Sequence, residues 1–258
     1  MLFNSVVFLF FGVFFYATWF CLRQQRHRLI LLVLASFIFY SYWDWRYLFL
    51  LTASGLVDYS AALGMVRWPQ RRRAFLLASI AMNLGALGTF KYLGFAVDNG
   101  NSLFSLLGLP YELSAPSFTL VIPLGISFYT FQSMSYTIDV YRGRLQPTHS
   151  VIHFFAFLSM FPQLVAGPIE RAASLLPQLE HKRTPTSQQC WDGWRFLVRG
   201  YFKKCVIADN LAPMVNQAFA HSDATTSGMY WWWIAALFAF QITATSVAIP
   251  TSRAVWAA

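Results

Sequence analysis

The sequence predicts an all-α, polytopic transmembrane protein with its N-terminus outside. Three observations point there. Of its 258 residues 57% are hydrophobic and only 11% charged, with a mean hydropathy of +0.48. Soluble domains carry about a quarter charged residues, and so little charge cannot coat a globule of this size. The 26 Phe, 12 Tyr and 10 Trp suit lipid-facing surfaces and interfacial belts. The basic residues that give the net charge of +9 bunch between apolar runs, as topology determinants do. That placement argues against nucleic acid and for a lipid bilayer, whose anionic headgroups attract such clusters.

The apolar runs give about six spans plus re-entrant or interfacial helices. Val6 to Leu22 is the first; Met1 to Ser5 carries no positive charge and no small-residue cleavage site follows, so it reads as a helix rather than a signal peptide. Leu29 to Trp43 is the second and Tyr47 to Val66 the third, joined by a tight turn at Asp44-Trp45-Arg46. Ala74 to Phe90 is the fourth, ending at Lys91. The Gly-, Asn-, Ser- and Pro-bearing stretch 98–116 reads as an outside loop with a short interfacial helix at 103–109. Basic loops at 23–28 and 67–73 fall inside, which places the N-terminus outside. Phe118 to Ile138 is the next span, followed by Arg142 and Arg144 inside. Val151 to Val165, broken by Pro162, Gly167 and Pro168, is short for a span and reads as re-entrant or interfacial. Residues 171–193 read as a polar cytoplasmic loop, Trp194 to Ala208 as an amphipathic interfacial helix, and Met229 to Ile242 as the opening of a final span.

Several polar residues stand out against this background. Asp58, mid-span, is expensive in hydrocarbon and needs a partner; a structural hydrogen bond to a neighbouring helix through Tyr59 or Ser60 is the favoured reading. Gly55, Ala61, Ala62 and Gly64 give the same span a small face for close helix packing. Tyr129, Gln132, Tyr136 and Asp139 follow an apolar segment and either line a polar cavity or anchor a helix end. Gln163, Pro168, Glu170 and Arg171 surround a helix break that frees backbone groups for a ligand or a neighbour. Lys203 and Lys204, beside Asp209 and Asn210, form a juxtamembrane patch for lipid headgroups or for a phosphate-bearing acyl donor, with headgroups favoured. The five histidines are scattered, without a carboxylate or Ser/Cys partner at a telling spacing. Cys21, Cys190 and Cys205 show no metal spacing and read as apolar fillers. No metal site and no bound cofactor is expected.

Five segments carry a resemblance. They are Asp44-Trp45-Arg46-Tyr47, Lys91-Tyr92-Leu93-Gly94-Phe95, the block from Pro123 to Arg142, Phe161-Pro162-Gln163-Leu164-Val165-Ala166-Gly167-Pro168-Ile169-Glu170-Arg171, and the block from Gly200 to Asn210. Together they resemble the membrane-bound O-acyltransferase family, in its alginate-acetylation branch, over about residues 1 to 242. The resemblance implies a multi-helix membrane fold enclosing a tunnel, in a bacterial inner membrane. It implies an acyl group received from a cytoplasmic donor, acetyl-CoA or carrier-bound acetyl, and passed toward an extracytoplasmic polysaccharide such as alginate. Periplasmic acetyltransferase subunits are the implied partners. It raises Tyr129, Gln132, Tyr136, Asp139, Gln163, Pro168, Glu170 and Arg171 as tunnel- or substrate-lining residues.

After Ile242 the family continues with a segment like Tyr-Cys-Asp-Phe-Ser-Gly-Tyr-Ser-Asp-Ile, whereas this chain reads Thr243 to Ser252 as Thr-Ala-Thr-Ser-Val-Ala-Ile-Pro-Thr-Ser. The codons ACT GCG ACT TCA GTG GCT ATT CCG ACA TCG encode the latter. With one T restored before them, the same bases read TAC TGC GAC TTC AGT GGC TAT TCC GAC ATC, the family segment. Residues 243–258 are therefore expected to be a frameshifted tail on an N-terminal part spanning 1–242. The histidine that acts as general base in the family lies in a later Trp-His segment, so no catalytic residue is assigned and the chain as written is expected to be inactive. A non-catalytic membrane scaffold of a polysaccharide acetylation system is the alternative. A transporter ranks last, because no paired broken helices occur in two similar halves.

Overall fold

A computed structural model describes residues 5–111, 113–114, 123, 125–166, 170–180, 186–221 and 227–248, and every regular element among them is helical. Contacts divide the chain into a unit of Val13–Leu164 with Ile169–Glu180 and a unit of Leu2–Gly12, Val165–Pro168 and His181–Ala258.

The first apolar runs become helices close to their expected bounds: α1 (Val6–Cys21), α2 (Gln25–Ser41), α3 (Arg46–Arg67) and α4 (Arg72–Leu87). Among the described residues two helical stretches are long and apolar enough to cross a membrane, Arg46–Arg67 and Pro69–Leu106; Val6–Cys21 is apolar but shorter. Only 17% of the apolar window in Pro69–Leu106 is buried in protein. Phe10, Phe14, Phe49, Leu77 and Phe95 are each more than 60% exposed. A soluble protein does not present so many large apolar side chains outward, whereas a lipid solvent requires it. The basic residues that follow the apolar runs also close helix ends. Arg28 donates from Nε to the Leu22 carbonyl at 2.9 Å, and Arg72 donates to the Tyr141 carbonyl while its guanidinium lies 4.5 Å from the Tyr141 ring.

The stretch expected as an outside loop from residue 98 is helical instead. α4 passes through a π-helical turn at Gly88–Tyr92 into α5 (Leu93–Leu106), and only then turns at Gly108, where φ is +67°. Its polar residues read as loop formers, but their side chains fold back on the helix. Asn99 donates to the Phe95 carbonyl at 2.6 Å and Ser102 to that of Asp98 at 2.8 Å. Asn101 exchanges two hydrogen bonds with the Leu113 backbone, at 2.7 and 2.9 Å. The expected interfacial helix at 103–109 is the last turn of α5 and the bend after it. Residues 115–122 lie outside the described residues.

α6 runs from Ile126 to Tyr141, shorter at its start than the expected span, because Gly125 takes the left-handed conformation at φ +70° and breaks the chain direction there. The segment beyond holds α7 (Val151–Leu158) and α8 (Phe161–Ala166). The break falls at Ser159-Met160, and Pro162 sits in the first turn of α8, where a missing N–H costs nothing. Phe154, Phe155, Phe157 and Leu158 are at most 5% exposed, so these side chains are enclosed by protein. Its aromatics seat it: Phe161 lies 5.2 Å from Phe15 and 5.7 Å from Phe39, and its N–H meets the Ser36 hydroxyl at 3.2 Å.

The small face of α3 is buried as expected at Gly55, Ala61, Ala62 and Gly64. A Cβ at Gly55 would stand 2.7 Å from a Leu158 methyl, and one at Gly64 2.7 Å from the Phe75 ring. These glycines set how closely α7 and α4 approach.

Residues 171–193 also depart from the expected loop. α9 (Ala172–Glu180) buries Ala172, Leu175, Leu176 and Leu179, an i, i+3, i+4, i+7 stripe hidden by the polar residues around it. Gln25 ties to its end through a 2.8 Å hydrogen bond to the Leu179 carbonyl.

In the second unit, α10 (Ser187–Phe202) starts seven residues before the expected Trp194, at a Thr186–Gln189 capping box. It presents Trp191, Trp194, Val198 and Phe202 outward, each at least 47% exposed, which keeps the expected amphipathic character. A π-helical turn at Lys203–Ala208 leads to α11 (Asp209–Ala220). α12 (Gly228–Ala248) packs on α11 through Phe219, 6.0 Å from Trp231 and 5.6 Å from Phe238. The helix continues past Ile242 to Ala248, with Thr243 and Thr245 bonding back to the carbonyls four residues before them. The rest of the expected tail, 249–258, lies outside the described residues. Cys21, Cys190 and Cys205 are free and exposed rather than packed as fillers.

Candidate functional site

α6 is turned inside out relative to a water-soluble helix. Tyr129, Thr130, Gln132, Ser133, Tyr136, Thr137 and Asp139 are all buried, while Phe131 is 45% exposed. In a lipid solvent the polar face must find partners within the protein. It does so in two ways, and the difference between them marks the site.

One group is satisfied. The Asp58 carboxylate on α3 accepts from Ser79 at 2.5 Å, from the Asn83 amide at 2.8 Å to each oxygen, and from Ser133 of α6. Ser54 donates to the Asn83 side-chain oxygen at 2.8 Å, and the Ser79 hydroxyl lies 3.2 Å from that of Thr137. All six side chains are at most 3% exposed. Asp58 is thus hydrogen-bonded to neighbouring helices, as expected, but directly and not through Tyr59 or Ser60. Neighbours in sequence point to different faces of a helix, and the Tyr59 hydroxyl reaches the His149 carbonyl at 2.7 Å instead. The sequence held a usable signal: each of the three helices supplies an i, i+4 polar pair, Ser54/Asp58, Ser79/Asn83 and Ser133/Thr137.

The other group is not satisfied. Tyr129 and Gln132 are each 1% exposed, and the Tyr129 hydroxyl and Gln132 Oε1 have no hydrogen-bond partner among the described residues. Gln132 Nε2 donates to the Phe157 carbonyl at 2.7 Å, which fixes the direction of the amide. The two residues are i and i+3, one above the other on a helix face. A buried polar atom without a partner costs about 1–3 kcal/mol. Tyr129→Phe is therefore expected to stabilise the chain by about 1–3 kcal/mol, read as a higher midpoint in chemical denaturation. A lowered midpoint would show that the hydroxyl is bonded.

The remaining expected residues divide. Tyr136 accepts from the Thr148 N–H at 3.2 Å and packs 4.9 Å from Phe154, a structural place. Asp139 is 7% exposed in the last turn of α6. Gln163, on α8, is 4% exposed. α8 approaches the start of α6 so closely that a Cβ on Gly125 would stand 2.8 Å from the Leu164 carbonyl oxygen. Glu170 is half-buried, and Arg171 is exposed, its carbonyl accepting the first N–H groups of α9 from Ser174 and Leu175. Pro168 and His181 lie outside the described residues. Lys203 and Lys204 belong to the second unit, where Lys204 pairs with Asp209. No group of three or more His, Cys, Asp or Glu that could hold a metal occurs among the described residues.

The chain is similar to several curated proteins. It is 37% identical to the probable alginate O-acetylase AlgI of Pseudomonas aeruginosa, over 92% of this chain and 45% of that protein. It is 38% identical to its counterpart in Pseudomonas putida, over 92% and 48%. The chain belongs to the membrane-bound O-acyltransferase family. A peptidoglycan O-acetyltransferase of Helicobacter pylori is 31% identical, over 82% of this chain and 44% of that protein. The chain thus spans less than half the length of the curated relatives it matches. No family model matches the chain, and no solved structure matches it.

Proposed function

We propose that this chain is the N-terminal part of a multi-pass membrane O-acyltransferase of the bacterial inner membrane, with its N-terminus outside. The acetyl group comes from a cytoplasmic donor, acetyl-CoA or carrier-bound acetyl. It goes to a hydroxyl of an extracytoplasmic polysaccharide such as alginate, with periplasmic acetyltransferase subunits as partners. The observation that carries the reading is the buried, unsatisfied pair of Tyr129 and Gln132 within the segment that resembles acetyl-transferring relatives. The Tyr129 hydroxyl can donate to an acyl carbonyl oxygen and Gln132 Oε1 can accept from an amide N–H, in a place from which water is excluded. Such preorganised donors stabilise the oxyanion of acyl transfer. The acceptor hydroxyl forms the new C–O bond as the bond to the donor's sulfur breaks. Its proton goes to a general base, and a base near neutrality is needed for that step. The resemblance implies a histidine for that base, in a segment that residues 1–258 do not match, and the reading therefore expects the 258-residue chain alone to be inactive.

The test compares the gene as it stands with a version carrying one restored base between the codons of Ile242 and Thr243, each expressed beside its neighbours. Ester content of the secreted polymer is the readout. The restored frame is expected to acetylate, the 258-residue chain is not, and Tyr129→Phe in the restored frame lowers acetylation roughly tenfold or more, as loss of an oxyanion donor does. Acetylation by the 258-residue chain would overturn its inactivity. No acetylation from either would favour the scaffold reading.

A further inference from the structure

We infer that Asp58 is a positioning residue, a hydrogen-bond hub that fixes the rotation of α6 and so the direction in which Tyr129 and Gln132 face. The inference rests on the reading of that pair as the site. Its geometry comes from a different part of the chain.

Three helices meet at this carboxylate. Ser79 and Asn83 reach it from α4, and Ser133 reaches it from α6. Thr137, one turn further along α6, meets the Ser79 hydroxyl at 3.2 Å, so α6 is held at two points on one face. Ser133 follows Gln132 directly. Successive residues of a helix stand about 100° apart, and a slip of one residue both turns α6 by that angle and shifts it by about 1.5 Å. Apolar packing alone tolerates such slips poorly in water and more readily in lipid, where hydrocarbon is as good a neighbour as leucine. A polar pair that matches only one rotation removes the freedom; buried polar groups that specify register are the best-attested use of such devices.

The hub works through hydrogen bonds rather than through charge. No Lys, Arg or His is among its partners, and the Asn83 amide faces both carboxylate oxygens while its own oxygen takes the Ser54 hydroxyl. Ser79 bonds Oδ1 and Ser133 bonds Oδ2, with the Asn83 amide facing both, so an asparagine at position 58 has the same shape but keeps one acceptor oxygen and turns an NH2 group toward the other serine and toward Asn83. An alanine keeps nothing.

The experiment uses the whole 258-residue chain in lipid nanodiscs, with 3-fluorotyrosine placed at position 129. Melting temperature and the fluorine resonance are read for the parent, Asp58→Asn and Asp58→Ala. Asp58→Asn, which keeps one of the two acceptor oxygens, is expected to melt between the parent and Asp58→Ala and to move the resonance less than Asp58→Ala does. Asp58→Ala is expected to melt roughly 5–10 °C lower and to shift or broaden it. If Asp58→Ala does not fold, Ser133→Ala gives the milder form of the same result. The hub is overturned if Asp58→Asn and Asp58→Ala both melt with the parent, or if the parent's melting temperature rises with sodium over choline and that rise vanishes in Asp58→Asn. The first outcome leaves the hydrogen bonds without a role, and the second assigns the work to charge. It is also overturned if the alanine variants melt lower with the resonance unmoved, because Asp58 then holds helices without aiming Tyr129. Neither readout uses acyl transfer, so a Tyr129 that proves idle in transfer leaves this result intact.

Discussion

Replacing Gly125 with valine is expected to leave little folded protein, a loss of about 4 kcal/mol or more. Two costs combine there. The residue sits at φ +70°, where a β-branched side chain is strained. A Cβ would also meet the Leu164 carbonyl oxygen at 2.8 Å, and a backbone atom cannot swing aside as a side chain can. Gly143 supplies the control. Its φ is +71°, yet nothing lies within 4 Å of the position a Cβ would take. Gly143→Ala is expected to cost only about 1 kcal/mol, the conformational part alone. Fluorescence-detected size exclusion and urea denaturation of the two variants give the comparison. Equal losses would mean that the contact with Leu164 contributes nothing.

Asn83→Leu carries the second large effect, about 3–5 kcal/mol of destabilisation. Leucine matches the size of asparagine and belongs in an apolar helix, so hydropathy alone predicts a gain. The structure predicts the opposite. Asn83 donates to both Asp58 oxygens and accepts from Ser54, and leucine strands those groups in a place where neither is more than 3% exposed. Leu84→Ala, on the same helix at a position 45% exposed, is expected to stay within about 1 kcal/mol. A thermal or urea denaturation midpoint for Asn83→Leu at or above that of the parent would sink this expectation.

Much of this architecture was legible before any coordinates. The runs that became α1 to α4 announce themselves by apolar length between basic clusters, because burial in lipid acts on each helix separately. α5 and α9 were not legible for the same reason in reverse. Their polar residues satisfy themselves by bonding back one turn, as Asn99 does to Phe95, and composition cannot register a bond. The site divides likewise. Tyr129 and Gln132 were visible as polar residues in a hydrophobic segment. That Gln132 spends its amide N–H on Phe157, 25 residues on, while its oxygen stays unpaired depends on how α6 meets α7. The same limit explains Asp58, whose partners stand on α4 and α6 and not beside it in the chain.

The helical stretch Pro69–Leu106 has a further consequence. At 38 residues it is about 57 Å long, against a hydrocarbon layer of about 30 Å. Even the steepest common inclination of a membrane helix, about 40°, does not absorb that surplus. Laid across a bilayer, such a stretch would hold its far turns, with Asp98, Asn99, Asn101 and Ser102, clear of the oil like the stem of a float. Bilayer thickness would then set how much of that stem is wetted, and fatty-acid length would reach it as a change in immersion.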